Sequence, residues 1–93
     1  MKATWKDVVL AESTETILVE GNHYFPVNDV NKEFLINSET HTICPWKGIA
    51  SYYSIKIEGE ILKDAAWYYP KPNLKAKNIA NHIAFWKDVS VHP

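Results

Sequence analysis

The chain has 93 residues, 46% of them hydrophobic, with ten lysines, no arginine and a net charge of −1. That is one-domain length, and without a guanidinium fork or a basic run it is a poor match to sequence-specific nucleic-acid binding. One cysteine excludes an intramolecular disulfide, and no apolar run approaches membrane-spanning length.

A single domain over residues 1–93 is therefore expected, with no nucleic-acid or membrane partner. The Met1–Asp7 start lacks the long apolar stretch of a signal peptide, which points to a reducing cytoplasm. A chain this short buries only about 60–65% of its unfolded surface. Four Trp, five Tyr and three Phe offset that thin core, because each buries a large area.

In chain order, the first feature is Trp5-Lys6-Asp7-Val8. The step recurs as Trp46-Lys47-Gly48-Ile49 and Trp86-Lys87-Asp88-Val89, matching by residue class at all four positions. It reads as an internal repeat with two units, 5–45 and 46–86, and a closing strand, 87–93. Each Lys-Asp or Lys-Gly pair looks like a short hairpin turn.

Ile17 and Val19 alternate with Thr16, Leu18 and Glu20, which predicts a strand with Glu20 on the Leu18 face. Tyr24-Phe25-Pro26 precedes a polar stretch, 28–34, long enough for one or two helical turns, with Asn28 or Asp29 as N-cap. Tyr53, Ile55 and Ile57 alternate with Tyr52, Ser54, Lys56 and Glu58 in a second strand, ended by a turn at Glu58-Gly59-Glu60. Tyr68-Tyr69-Pro70 mirrors the earlier aromatic marker. Beyond it, Asn73 opens a segment with Ala76, Ile79, Ala80 and Ile83 at helical spacing.

The expected fold is mainly β: a small pseudo-two-fold barrel, or a two-sheet tent-like sandwich, with one or two short helices. The third Trp-Lys step would start a strand returning beside the first.

Chemistry concentrates between Cys44 and Ser54, where a thiol, an indole, an amine and two phenols fall within eleven residues. Three motifs carry a family resemblance. They are the Glu20–Pro26 run, the Cys44-Pro45-Trp46-Lys47-Gly48 step with its Tyr52-Tyr53, and Ala66-Trp67-Tyr68-Tyr69-Pro70. Together they resemble the domain of unknown function 427 family along essentially the whole chain. The resemblance implies small proteins without an established activity. A nucleotidyltransferase label attached to part of that family finds no support in the residues. There is no Gly-Ser step followed by an Asp-x-Asp pair to hold Mg²⁺, and no phosphate-binding glycine loop.

Candidate reactive groups are Glu20 as acid, base or acceptor, Cys44 as nucleophile, and Lys47 as anion anchor or tuned amine. The bland alternatives are an exposed strand-end carboxylate, a small buried hydrophobe and a turn lysine in water. Tyr24, Trp46, Tyr52, Tyr53, Trp67 and Tyr69 are the candidate pocket walls, although aromatics in a thin core mostly serve packing. Alternation sends Tyr52 and Tyr53 to opposite faces, so one of the two leaves the main core.

His41-x-x-Cys44 has ligand-like spacing, but a site would also need His23 or His82 and there is no Cys pair, so no metal and no cofactor are expected. No Ser–His–Asp arrangement is legible. The favoured reading is a binding module for a small organic molecule at the junction of the units. A small enzyme using Glu20 with Cys44 or Lys47 comes next. A protein-interaction module or homodimer with an exposed aromatic patch is third.

Overall fold

Period-two alternation and tight turns build this molecule. A computed structural model describes residues 1–93. β1 (Lys2–Trp5) and β2 (Val8–Glu12) are joined by Lys6-Asp7. β3 (Ile17–Val19) and β4 (Asn22–Pro26) are joined by Glu20-Gly21. The long strands β5 (Leu35–Cys44), β6 (Gly48–Ile57) and β7 (Glu60–Tyr68) follow, then β8 (His82–Phe85) and β9 (Ser90–His92). Lys6-Asp7, Glu20-Gly21 and Glu58-Gly59 all have positive φ at both residues. That is the type I′ combination, whose twist matches the flanking strands.

All pairings are antiparallel and fall into two sheets. The small sheet runs β2-β1-β9, and the large sheet runs β3-β4-β8-β7-β6-β5. β9 returns along β1 with Lys2 opposite His92. The arrangement is a sandwich of two sheets, not the closed barrel that was one expectation. No pairing joins edge strands β3 and β5, and only the isolated Ala11–Val30 bridge lies outside the named strands.

The two sequence units contribute different parts. Residues 5–45 supply strands to both sheets, whereas 46–86 supply only the large one. Lys87-Asp88 is not a hairpin turn, since it carries the chain from β8 in one sheet to β9 in the other.

The polar stretch 28–34 forms two 3-10 turns, Val27–Asp29 and Lys32–Phe34. Their caps are Pro26 and Asn31 rather than Asn28 or Asp29. The segment after Asn73 is also 3-10, Leu74–Ile79, kinked at Ala76. It buries Ala76 and Ile79, but Ile83 belongs to β8, so the helical spacing did not extend that far. No helix is long and apolar enough to cross a membrane.

The large sheet buries both faces. On one, Phe25, Ile55, Ile83 and Phe85 pack with Ala3, Leu10 and Ala11 of the small sheet. Phe25 meets Phe85 edge to face at 5.7 Å, and each such side chain contributes about 1.5–3 kcal/mol by burial. On the other face, Tyr24, Ala50, Tyr69 and Ala84 pack under Ala76 and Ile79. Tyr53 and Tyr68 go to the first face, and Tyr52, Trp67 and Tyr69 to the second. The second face positions the candidate site.

Candidate functional site

Glu20 sits in the β3–β4 turn with φ 52°. It is not on the Leu18 face of a strand, because the turn takes it out of the alternation. Lys47 sits in the β5–β6 turn and is 8% exposed. The two turns lie at opposite ends of the strand order, yet Lys47 Nζ donates to Glu20 Oε1. The large sheet must therefore curl until its edge hairpins meet. Trp46 Nε1 adds a long hydrogen bond of 3.4 Å to Glu20 Oε2.

The Lys47 ammonium lies 5.2 Å from the Trp46 ring centroid and 5.7 Å from that of Tyr69. Cation–π placement of this kind is favourable when the cation is desolvated. All three Trp-Lys steps set the lysine over its own indole, with Lys6 and Lys87 each at 5.3 Å. What separates them is the partner. Lys6 pairs with the exposed Glu60 at 2.9 Å, and Lys87 donates to the Lys63 carbonyl at 2.6 Å. Only the middle lysine is buried against a carboxylate.

Lys47, Tyr52, Trp67, Tyr69 and Trp86 line a cavity of about 150 Å³. Its walls are locked together. Trp67 Nε1 donates to the Tyr24 hydroxyl at 3.1 Å, and the two rings meet edge to face. Trp67 also meets Trp86 edge to face, with centroids 5.9 Å apart. Trp86 Nε1 donates to the Asp64 carbonyl at 2.5 Å. The hydroxyl of Tyr52 shares a 2.9 Å hydrogen bond with Thr42.

Electrostatics follow from these contacts. The hydrogen bond from Lys47 holds the Glu20 carboxyl below the usual range, against some desolvation. Burial pulls Lys47 down, but Glu20, Tyr24, Tyr69 and Cys44 outweigh it, so the amine stays above its ordinary value. Burial pushes the Tyr69 phenol up to about 12 despite the nearby Lys47. Burial also raises Tyr24, opposed by the Trp67 hydrogen bond. At neutral pH the site holds one fixed ion pair among neutral phenols.

The structure thus brings together Glu20, Tyr24, Trp46, Lys47, Tyr52, Trp67 and Tyr69. Cys44, half-buried at the end of β5, packs against the same cluster. Tyr53 does not join them. Half-buried, it stacks on Tyr68 at 4.8 Å against the core between the sheets, because adjacent strand residues face opposite ways. Trp86 was missed, since its shared Trp-Lys-Asp step made it look purely structural. His41 and Cys44 are three apart on β5 and so face opposite ways, and no three His, Cys, Asp or Glu side chains converge as a metal site.

No curated protein matches the chain. The model of the family described as a domain of unknown function (DUF427) matches residues 1–92, and with it the chain belongs to that family.

Proposed function

We propose that this domain binds a small organic molecule in the cavity walled by Tyr52, Trp67, Tyr69 and Trp86 and floored by Lys47. The observation that carries the reading is the buried Lys47 ammonium, held by Glu20 and lining an open cleft with four aromatic side chains. Folding buries a charge there instead of leaving the lysine in water, as with Lys6 and Lys87. A cavity of about 150 Å³ is the size that admits one benzene-like ring. Aromatic walls with a few polar tips are the usual form of such sites.

Binding is favoured over catalysis by the protonation pattern. An amine nucleophile or general base needs a lowered pKa, and Glu20 holds Lys47 above its ordinary value. Trp86, 46% exposed, is the wall nearest solvent. The free Cys44 is compatible with a reducing cytoplasm.

The test is a thermal-shift screen of small aromatic and polar metabolites, with Glu20→Gln and Cys44→Ser as controls. A stabilising compound whose effect survives Cys44→Ser and weakens in Lys47→Met supports the reading. No stabilising compound across a broad set would overturn it.

A further inference from the structure

A larger cavity, about 330 Å³, opens at the same end of the large sheet and is lined by His41, Gly48, Ser51, Lys71 and Asn73. Ile49 and Pro70 complete its wall. It is distinct from the Lys47 cavity. Ser51 lines this one and its neighbour Tyr52 lines the other, so β6 separates them by the alternation of its side chains. Cross-strand pairs agree: His41 is opposite Ser51, and Tyr52 is opposite Trp67.

The lining is chemically one-sided. It contains a lysine, an imidazole, a hydroxyl and a carboxamide, and no carboxylate. No acidic side chain pairs with Lys71, since the three ion pairs of the molecule involve Lys2, Lys6 and Lys47. Ser51 is 8% exposed, and its hydroxyl lies 3.2 Å from His41 Nδ1. When Ser51 donates to that nitrogen, the other ring nitrogen carries the proton and is a donor.

The loop bearing Lys71 and Asn73 is held in place by the Asn73 amide, which donates to the Lys47 carbonyl at 2.9 Å. Gly48 faces this loop with room for an ordinary contact. A Cβ there would lie 3.4 Å from the Lys71 carbonyl and 3.5 Å from Asn73 Oδ1. The volume is at the lower end of small-molecule sites.

We propose that this cavity is an oxyanion site, taking the carboxylate or phosphate group of a small polar molecule. Lys71 supplies the charge, and His41 and the Asn73 carboxamide supply further hydrogen-bond donors. Charge-assisted hydrogen bonds of this type are the stronger ones, and their loss is measurable at modest affinity. The inference does not depend on a ligand in the Lys47 cavity.

The test is an amide NMR titration of the full chain with sodium phosphate and, separately, sodium acetate. Ionic strength is held constant with sodium chloride. Saturable shifts at Gly48, Ser51 and Asn73 with either anion support the site, and whichever anion saturates identifies the oxyanion class. Lys71→Ala, at an exposed loop position, should weaken that binding by about tenfold. Ser51→Ala should weaken it less. Shifts that fail to saturate with both anions would overturn the proposal, as would saturable shifts equal in Lys71→Ala. Binding lost in Lys47→Met but kept in Lys71→Ala would place the anion in the other cavity and also overturn it.

Discussion

Glu20 and Lys47, 27 residues apart, form an ion pair in which one partner is buried and the other meets water. The side chains are 51% and 9% exposed respectively. Removing either partner breaks the same contact but strands a different group.

That asymmetry gives the first prediction. Lys47→Met leaves a carboxylate that water can solvate, and fills the buried volume with an apolar chain. Its stability should stay within about 1 kcal/mol of the parent. Glu20→Gln leaves an ammonium buried without its counter-charge, so it should be the more destabilising change. Urea midpoints of the two variants check the order. Equal losses would mean that Lys47 finds another partner.

Acid should weaken the fold through two carboxylates. Hydrogen bonds from Lys47 to Glu20, and from Ser38 and Thr40 to Asp64, lower both groups in the folded state. A lowered carboxylate contributes stability that is present above its unfolded value and lost as pH falls through the folded one. Stability should therefore be full above the reference values of 4.5 and 3.8 and decline below them. Urea titrations from neutral pH downward measure it. Asp64→Asn should be less stable at neutral pH and should flatten the profile.

The Tyr69 phenol offers an alkaline signature. Burial raises it from 10.0 to about 12. The folded state therefore holds that proton more tightly than the unfolded chain. Stability from Tyr69 is present below 10.0 and is lost as pH rises through about 12. Tyrosinate absorbance should show late-titrating phenols, and the amplitude that titrates last should fall by one tyrosine in Tyr69→Phe. Complete titration near the reference value in the folded protein would contradict the burial seen here.

Gly48 has φ 113°, a conformation that L side chains rarely adopt. Gly48→Ala should cost about 1–3 kcal/mol through backbone strain alone. The added Cβ would meet the 71–73 loop only at ordinary contact distance, so the strain lies in the turn. Equilibrium unfolding gives the stability loss, and amide shifts at Asn73 report the loop. Parent-like stability would show that the turn relaxes to negative φ.

Several elements were legible because their causes are local. Alternation at 52–57 gave β6, and Glu58-Gly59 gave its turn to β7. The opposite facing of Tyr52 and Tyr53 followed from the strand period alone. The errors also have physical causes. Glu20 was read as a strand residue because alternation continues through it, whereas the Glu20-Gly21 pair adopts positive φ and ends β3. Ile83 was read into a helix because apolar residues recur at a spacing that a 3-10 turn followed by a strand also satisfies.

The sequence by itself determined the β class, the strand period and the family to which the chain belongs. Those depend on neighbours a few residues apart or on short motifs. Tertiary structure alone decided that the middle Trp-Lys step is the buried one. It also decided that Glu20 is its partner and that Trp86 closes the cavity wall. Each depends on the curl of a six-stranded sheet, which brings hairpins from its two ends together. No pattern within one strand encodes that curvature. Cys44-Pro45, Gly48 and Tyr52-Tyr53 already mark the middle Trp-Lys step in the sequence, but only packing buries its lysine against a carboxylate and leaves Lys6 and Lys87 exposed.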